Sequence, residues 1–324
     1  MADLQTQFNK FHEAIKIDFD GNKPLRDKRD IILNALRAGL KKKYPTNTPT
    51  FDSFNQGSYD LGTGVEPLGS DDYDIDVGIV FNIAKANNDP LAVKQLVFEI
   101  LDAAYSRKVK IRRPCVRVQY HQAGEKAYHV DLAIYARGKS FLGDLNGDLY
   151  IAKGKPELPT EKLWEVSEPY RLKELIKSRI SDDADREQFR RVIRYLKRWK
   201  SFNSYLVGNG KPTGIALTAC CYNHFTIEKD YLYGQNSYKY NDLRALQKIV
   251  DSIIGMYSWS NKIEVKLPVE PYNNLFIKMS EAQMLTLKKQ LEVLKSTLNN
   301  ASTDTQTTMA CMRLRGVFGD FPTL

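Results

Sequence analysis

Cysteine is scarce and unpatterned in this chain. The four cysteines, Cys115, Cys220, Cys221 and Cys311, include no Cys-x-x-Cys pair and are too few to staple 324 residues. A disulfide framework is excluded, and a reducing, cytoplasmic setting is expected. Long apolar runs are missing as well. No stretch approaches the roughly 20 residues that span a bilayer, so no membrane partner is expected. The opening Met1-Ala-Asp-Leu-Gln-Thr-Gln-Phe8 lacks the basic-then-apolar order of a secretory leader. Internal repeats and low-complexity tracts are also absent, which sets aside solenoid and fibrous architectures.

What is present fits a large folded protein. Hydrophobic residues make up 42% and charged residues 27%, enough for sizeable cores. The length favours two lobes. A net charge of +9 favours anionic partners such as nucleotides. Nucleic-acid binding is compatible with that charge but not required by it. Cys220, Cys221 and His224 fall in an apolar segment, Ala216-Leu-Thr-Ala-Cys-Cys-Tyr-Asn-His-Phe225, where small thiols pack as apolar groups rather than bind metal.

The hydrophobic period changes along the chain. Residues 4–44 read as helical, broken at Asp20-Gly-Asn-Lys-Pro24 and ended by Pro45 and Pro49. Two-residue alternation then marks three strands, on Ile75–Ile83, Cys115–Tyr120 and Tyr128–Ile134, with a helix over Pro90–Tyr105 between the first two. Beyond about Trp164 the pattern is almost entirely helical. Segments over Asp185–Phe202 and Leu243–Ile254 carry apolar stripes, and a third helix opens on the capping pair Ser280 and Gln283. The expected fold class is α+β. A mixed-sheet core with N-terminal helices (1–165) precedes a helical lobe (166–324), with a cleft between them.

The chemistry gathers in Gly69-Ser-Asp-Asp-Tyr-Asp-Ile-Asp-Val-Gly-Ile-Val-Phe81, where four carboxylates precede an apolar strand. Residues two apart on a strand share a face about 6.5 Å apart, so Asp74 and Asp76 point together, opposite Ile75, Val77 and Ile79. Asp131 is likewise out of phase with Val130, Leu132 and Ile134. If the strands are neighbours, three carboxylates converge, and they need a strong counter-charge to stay ionised. Mg²⁺ supplies one, with oxygen ligands and substrate phosphates. Two such ions about 4 Å apart are the standard device for displacement at phosphorus. Asp71 and Asp72 read as a solvated turn. About 16 residues before Asp74, Gly57-Ser58 offers close backbone approach and donors for a phosphate.

Gly57-Ser58, Asp74-Ile-Asp76 and Asp131 together resemble the polymerase-β-like nucleotidyltransferase superfamily. Gln56-Gly-Ser-Tyr followed by Thr63, Asp72-Tyr-Asp-Ile-Asp-Val-Gly78, Arg191-Val-Ile-Arg-Tyr-Leu-Lys-Arg-Trp-Lys200 and Val317-Phe-Gly-Asp-Phe-Pro322 are similar to the bacterial CD-NTases, the cyclic GMP–AMP synthase/dinucleotide cyclase-like nucleotidyltransferases. The resemblance spans nearly the whole chain. It implies that Asp74 and Asp76 bind two Mg²⁺ ions, with Mn²⁺ as the alternative, and that Asp131 binds the catalytic ion and helps activate the acceptor hydroxyl. It also implies that Gly57 and Ser58 hold a donor triphosphate, with Gln56 and Thr63 in the same segment. Lys197 would contact that triphosphate. Arg190, Arg194 and Lys197 share a helix face at i, i+4 and i+7, which brings Arg194 into the expected site. Arg186, Arg191 and Arg198 are expected to be structural or at the surface. Thr213 would open the next helix beside the phosphates. Relatives follow it with an aromatic that stacks on the base; Gly214 stands here, so that residue is unassigned.

The implied activity is condensation of nucleoside triphosphates, ATP foremost, into a cyclic oligonucleotide in antiphage (CBASS) signalling, with a separate effector reading the product. A linear transferase acting on RNA ends or a small acceptor, or a silent nucleic-acid-binding relative, would use the same fold.

Overall fold

A computed structural model of the chain describes residues 3–17, 22–69, 71–104, 108–120, 127–138 and 147–323. The Asp20–Gly21 half of the expected helix break lies outside them. Helix α1 (Gln5–Ile15) precedes α2 (Lys23–Lys43), whose start is fixed by the Asn22 side chain accepting from Leu25 N. Then come β1 (Phe51–Asn55), the short α3 (Gly57–Asp60), β2 (Tyr73–Ala84), α4 (Pro90–Ala104), β3 (Lys108–Ile111), β4 (Val116–Tyr120), β5 (Tyr128–Arg137), β6 (Leu149–Lys155) and β7 (Leu158–Val166). The remaining elements are α5 (Pro169–Ser178), α6 (Asp183–Phe202), α7 (Gly214–His224), the hairpin β8 (Lys229–Leu232) and β9 (Ser237–Tyr240), α8 (Asp242–Gly255), α9 (Glu281–Thr303) and α10 (Thr307–Phe318).

The sheet is open and mixed, in the order β1-β2-β5-β4-β3. β2 and β5 run parallel at its centre, with Ile75 opposite Val130, Asp76 opposite Asp131 and Val77 opposite Leu132. β4 pairs with the first half of β5, whereas β6 pairs with its last residues, Tyr135–Arg137. The three strands read from alternation are β2, β4 and β5. β1 and β3 escaped notice because they are short, and β7 because it is largely exposed and shows no apolar alternation. The β8–β9 hairpin interrupts a region read as almost entirely helical.

Two hydrophobic cores follow from the two periods. In one, Ile75, Val77, Ile79, Val130, Leu132 and Ile134 pack under α2 and α4. In the other, α6, α7, α8, α9 and α10 bury their stripes together, and α1 joins them through Phe8, Phe11 and Ile15. The terminal segment explains that placement: Phe321 packs on Phe8 and Phe11 with ring centres 5.0 and 4.9 Å apart. Arg191 is structural, as expected. It pairs with the fully buried Asp242 at 2.7 Å, and Tyr195 donates to the same carboxylate at 2.9 Å. Cys220 and Cys221 are buried apolar residues of α7. Among the described residues, no helix is long and apolar enough to cross a membrane.

Candidate nucleotide site

The strand register builds the acidic wall. Because β2 and β5 are parallel neighbours with Asp76 opposite Asp131, the side chains of both project from the same face, and Asp74 lies one pleat before them. Ligand oxygens of Asp74, Asp76 and Asp131 all come within 4.8 Å of one another. Burial and the neighbouring Asp131 push the Asp74 carboxyl up to about 6. Burial and the charges of Asp74 and Asp131 push Asp76 well above the usual carboxylate range. Such shifts mark carboxylates gathered with too little positive charge. The all-oxygen donor set is that of a hard divalent cation, so the residues fit Mg²⁺ or Mn²⁺.

Above the acids lies the Gly57-Ser58 turn. Gln56 N donates to Asp76 O at 2.9 Å, and Gln56 Nε2 donates to the Tyr135 hydroxyl at 2.6 Å. Gly57 has φ +64°, and a Cβ there would sit 2.0 Å from Asp76 Oδ2. Only glycine allows both that backbone conformation and that approach.

The opposite wall is basic and helical. Lys197 of α6 is buried and donates to Thr63 O at 3.0 Å and Thr63 Oγ1 at 2.8 Å. Burial, then Lys200 and Arg194, lower its ammonium to about 7. Thr213 caps α7, its hydroxyl accepting from Ala216 N at 3.2 Å, so the positive end of that helix faces the same space. The absent Cβ of Gly214 would lie 3.4 Å from Lys197 Cε, so this position packs on the lysine stem.

Between the walls is a cavity of about 540 Å³. Gln56, Gly57, Ser58, Thr63, Asp74, Asp76, Asp131, Lys197 and Thr213 all line it. Arg194 does not, and its expected place in the site is corrected. Its guanidinium turns behind the loop, donating to Gly62 O at 2.7 Å, Gly64 O at 3.2 Å and His12 Nε2 at 2.8 Å. The guanidinium is buried there because each of its nitrogens finds an acceptor, and Gly64 O takes a second bond from Ile17 N at 3.2 Å. Asp72 is also more than a turn residue, since it pairs with His129 at 2.9 Å. Sequence reasoning missed Tyr135, Arg117, Lys200 and Ser201. Tyr135 and Arg117 had a signal: Tyr135 is in phase with Asp131, and Arg117 lies between the inward Val116 and Val118. Lys200 and Ser201 lie one helical turn beyond Lys197 and look like ordinary helix ends.

An open mixed sheet that places three carboxylates across a cavity from a buried lysine and a helix N-terminus can hold a divalent cation and a phosphate together. Residues 51–135 match the family model described as cyclic GMP-AMP synthase DncV-like, nucleotidyltransferase domain. A cyclic GMP-AMP synthase from Escherichia albertii is 22% identical over 264 residues, 80% of this chain and 55% of that protein. A c-di-GMP synthase from Roseivirga ehrenbergii is 22% identical over 236 residues, 68% of this chain and 59% of that one. The chain thus spans between half and two thirds of the length of these curated relatives. The fold is that of the Vibrio cholerae di-nucleotide cyclase DncV in complex with ATP and GTP, with TM-score 0.75, 15% identity, and 99% of this chain and 97% of that one covered. The DncV apo form gives 0.72 at 16% identity, covering 98% and 96%. Over residues 51–135 the chain is thus similar to the DncV-like nucleotidyltransferase domain, and along nearly its whole length it shares the DncV fold.

Proposed function

We propose that the protein joins nucleoside triphosphates into a cyclic oligonucleotide, releasing pyrophosphate. The observation that carries this reading is the convergence of Asp74, Asp76 and Asp131 on a cavity whose far wall holds Lys197 and the N-terminus of α7. The names of the curated relatives, both cyclic-dinucleotide synthases, favour a cyclic product. A DncV structure bound to the linear intermediate 5′ pppA(3′,5′)pG shares the fold, with TM-score 0.71, 15% identity, and 97% of this chain and 95% of that one covered. That makes a linear precursor a reasonable intermediate here.

In this reading Gly57 and Ser58 hold the donor triphosphate under the α7 N-terminus, with Gln56 bracing the turn against Tyr135 and Lys197 countering phosphate charge. A 2′- or 3′-hydroxyl of a second nucleotide attacks the α-phosphorus as the bond to the β-phosphate oxygen breaks. Asp131 orients that hydroxyl and takes up its proton. Divalent ions held by Asp74, Asp76 and Asp131 would supply electrostatic stabilisation of the attacking and leaving oxygens. The linear product then turns over, and its free hydroxyl closes the ring. The lobes of this enzyme are residues 1–165 and 166–324, with α1 contributed across the boundary. Antiphage signalling through a separate effector is the setting, on family grounds.

Incubation with labelled ATP, GTP, CTP and UTP plus Mg²⁺, followed by phosphatase and mass spectrometry, tests the activity. Phosphatase-resistant cyclic products are expected. Products that phosphatase degrades, or that appear only with an added acceptor, would transfer the protein to the linear class.

A further inference from the structure

The carboxylates have a partner that the proposed chemistry does not use. Arg117 of β4 lies opposite Asp131 in the antiparallel register with β5. Its Nε donates to Asp131 Oδ1 at 2.6 Å and its Nη2 to Asp131 Oδ2 at 2.5 Å, a two-pronged pair. The same Nη2 reaches Asp74 Oδ1 at 3.3 Å, and Nη1 lies 3.3 Å from His129 Nδ1. The Arg117 and Asp131 side chains are each only 12% exposed, so water screens this contact little. Bidentate guanidinium–carboxylate pairs are among the stronger polar contacts in proteins. Here the guanidinium engages two of the three carboxylates that would receive a cation.

We propose that Arg117 is a built-in counter-cation of the triad. Three converging carboxylates repel one another, and the guanidinium supplies one positive charge against them while no ion is bound. It does so by occupying Asp131 lone pairs and by touching Asp74, the two acids that flank the space an ion would enter. Arg117 therefore stabilises the ion-free fold and weakens divalent-cation binding, because a fixed positive charge stands next to the site. A cation that binds must draw Asp74 away from Nη2, while Asp131 stays oriented by the fork. Arg117 is thus a positioning residue, acting through Asp131 and Asp74. The inference rests on the reading of the triad as a divalent-cation site but not on any product of that site.

The test uses the full chain and Mn²⁺, with free Mn²⁺ followed by electron paramagnetic resonance and unfolding followed by heat. Relative to the native chain, Arg117→Gln should melt lower in EDTA, bind Mn²⁺ about tenfold more tightly, and regain most of its lost Tm when Mn²⁺ saturates it. Arg117→Lys keeps the charge and loses the fork, so its Mn²⁺ affinity should stay within about twofold of the native value. If Arg117 only braces the β4–β5 pair, Arg117→Gln will melt lower with and without Mn²⁺ and bind the ion no better, which overturns the proposal. A lysine variant that binds as tightly as the glutamine variant overturns it too. Should the glutamine variant fold in neither condition, the lysine variant decides. A near-native Tm in EDTA supports the counter-cation role, and a large loss that Mn²⁺ does not restore refutes it. A native chain that binds no Mn²⁺ removes the metal reading and this inference together. Failure to form a cyclic product counts against the proposed activity alone.

Discussion

The two walls of the cavity are built by different means and are strained in opposite directions. The acidic wall is set by backbone register, since the parallel pairing of β2 with β5 places Asp76 beside Asp131 whatever their charges prefer. The basic wall is set by side-chain hydrogen bonds, since Lys197 is held by Thr63 and the loop behind it by Arg194. Burial and like charge push Asp74 and Asp76 up, whereas burial and neighbouring cations push Lys197 down to about 7. Each wall lacks the charge the other side of a bound metal–triphosphate would bring. Under the proposed function, a metal-bound triphosphate would relieve this unfavourable arrangement, and stability would be traded for a prepared site.

The largest expected effect breaks the acidic wall. Asp76→Asn should lower nucleotide transfer by at least about 10³-fold. Its Tm in EDTA should match or exceed that of the native chain, because a like charge is gone. Normal turnover in that variant would remove Asp76 from the proposed ligand set. Next comes the turn above that wall. Gly57→Ala would force a Cβ onto the Asp76 carboxylate at a left-handed φ. A loss of about 1–3 kcal/mol by denaturant unfolding should accompany a fall in activity of at least about tenfold.

On the basic wall, Lys197→Met keeps the aliphatic stem and removes the ammonium. KM for the triphosphate should rise about ten- to a hundredfold with a smaller change in kcat, measured by steady-state kinetics. An unchanged KM would assign the phosphate contact to another group. Arg194 sharpens the contrast between touching substrate and holding the loop. Arg194→Leu should cost about 2–4 kcal/mol in urea unfolding, because the Gly62 carbonyl and His12 lose this donor and Gly64 O keeps only Ile17 N.

The smallest effect concerns pH. His12 accepts from Arg194, and burial together with that guanidinium lowers it from 6.5 to about 4. Between those two values the unfolded chain binds more protons than the folded one, so stability rises with pH across the window and is lost as pH falls through it. The slope should reach at most about 1.4 kcal/mol per pH unit and should flatten in His12→Gln, as read by urea unfolding at successive pH values.

Much of the acidic wall was legible because strand alternation is a local rule. The phase of Asp74, Asp76 and Asp131 against their apolar neighbours follows from a period of two, and it holds for β2 and β5 as observed. The basic wall was less legible. Helical spacing put Arg194 and Lys197 on one face, yet a face covers two environments, and only Lys197 reaches the cavity. Arg194 lies one turn earlier, against the 62–64 carbonyls, and no spacing rule separates these outcomes.

By itself the sequence determined the two periods, hence a sheet core and a helical core, and it determined which aspartates turn away from the apolar side. The tertiary structure alone decided that β2 neighbours β5 in parallel, that α1 joins the helical core through Phe8, Phe11 and Phe321, and that Arg117 meets Asp131. Those contacts join residues far apart along the chain, and no local pattern encodes them. They arise when buried faces find the partners that remove the most apolar surface from water and leave the fewest polar groups unpaired.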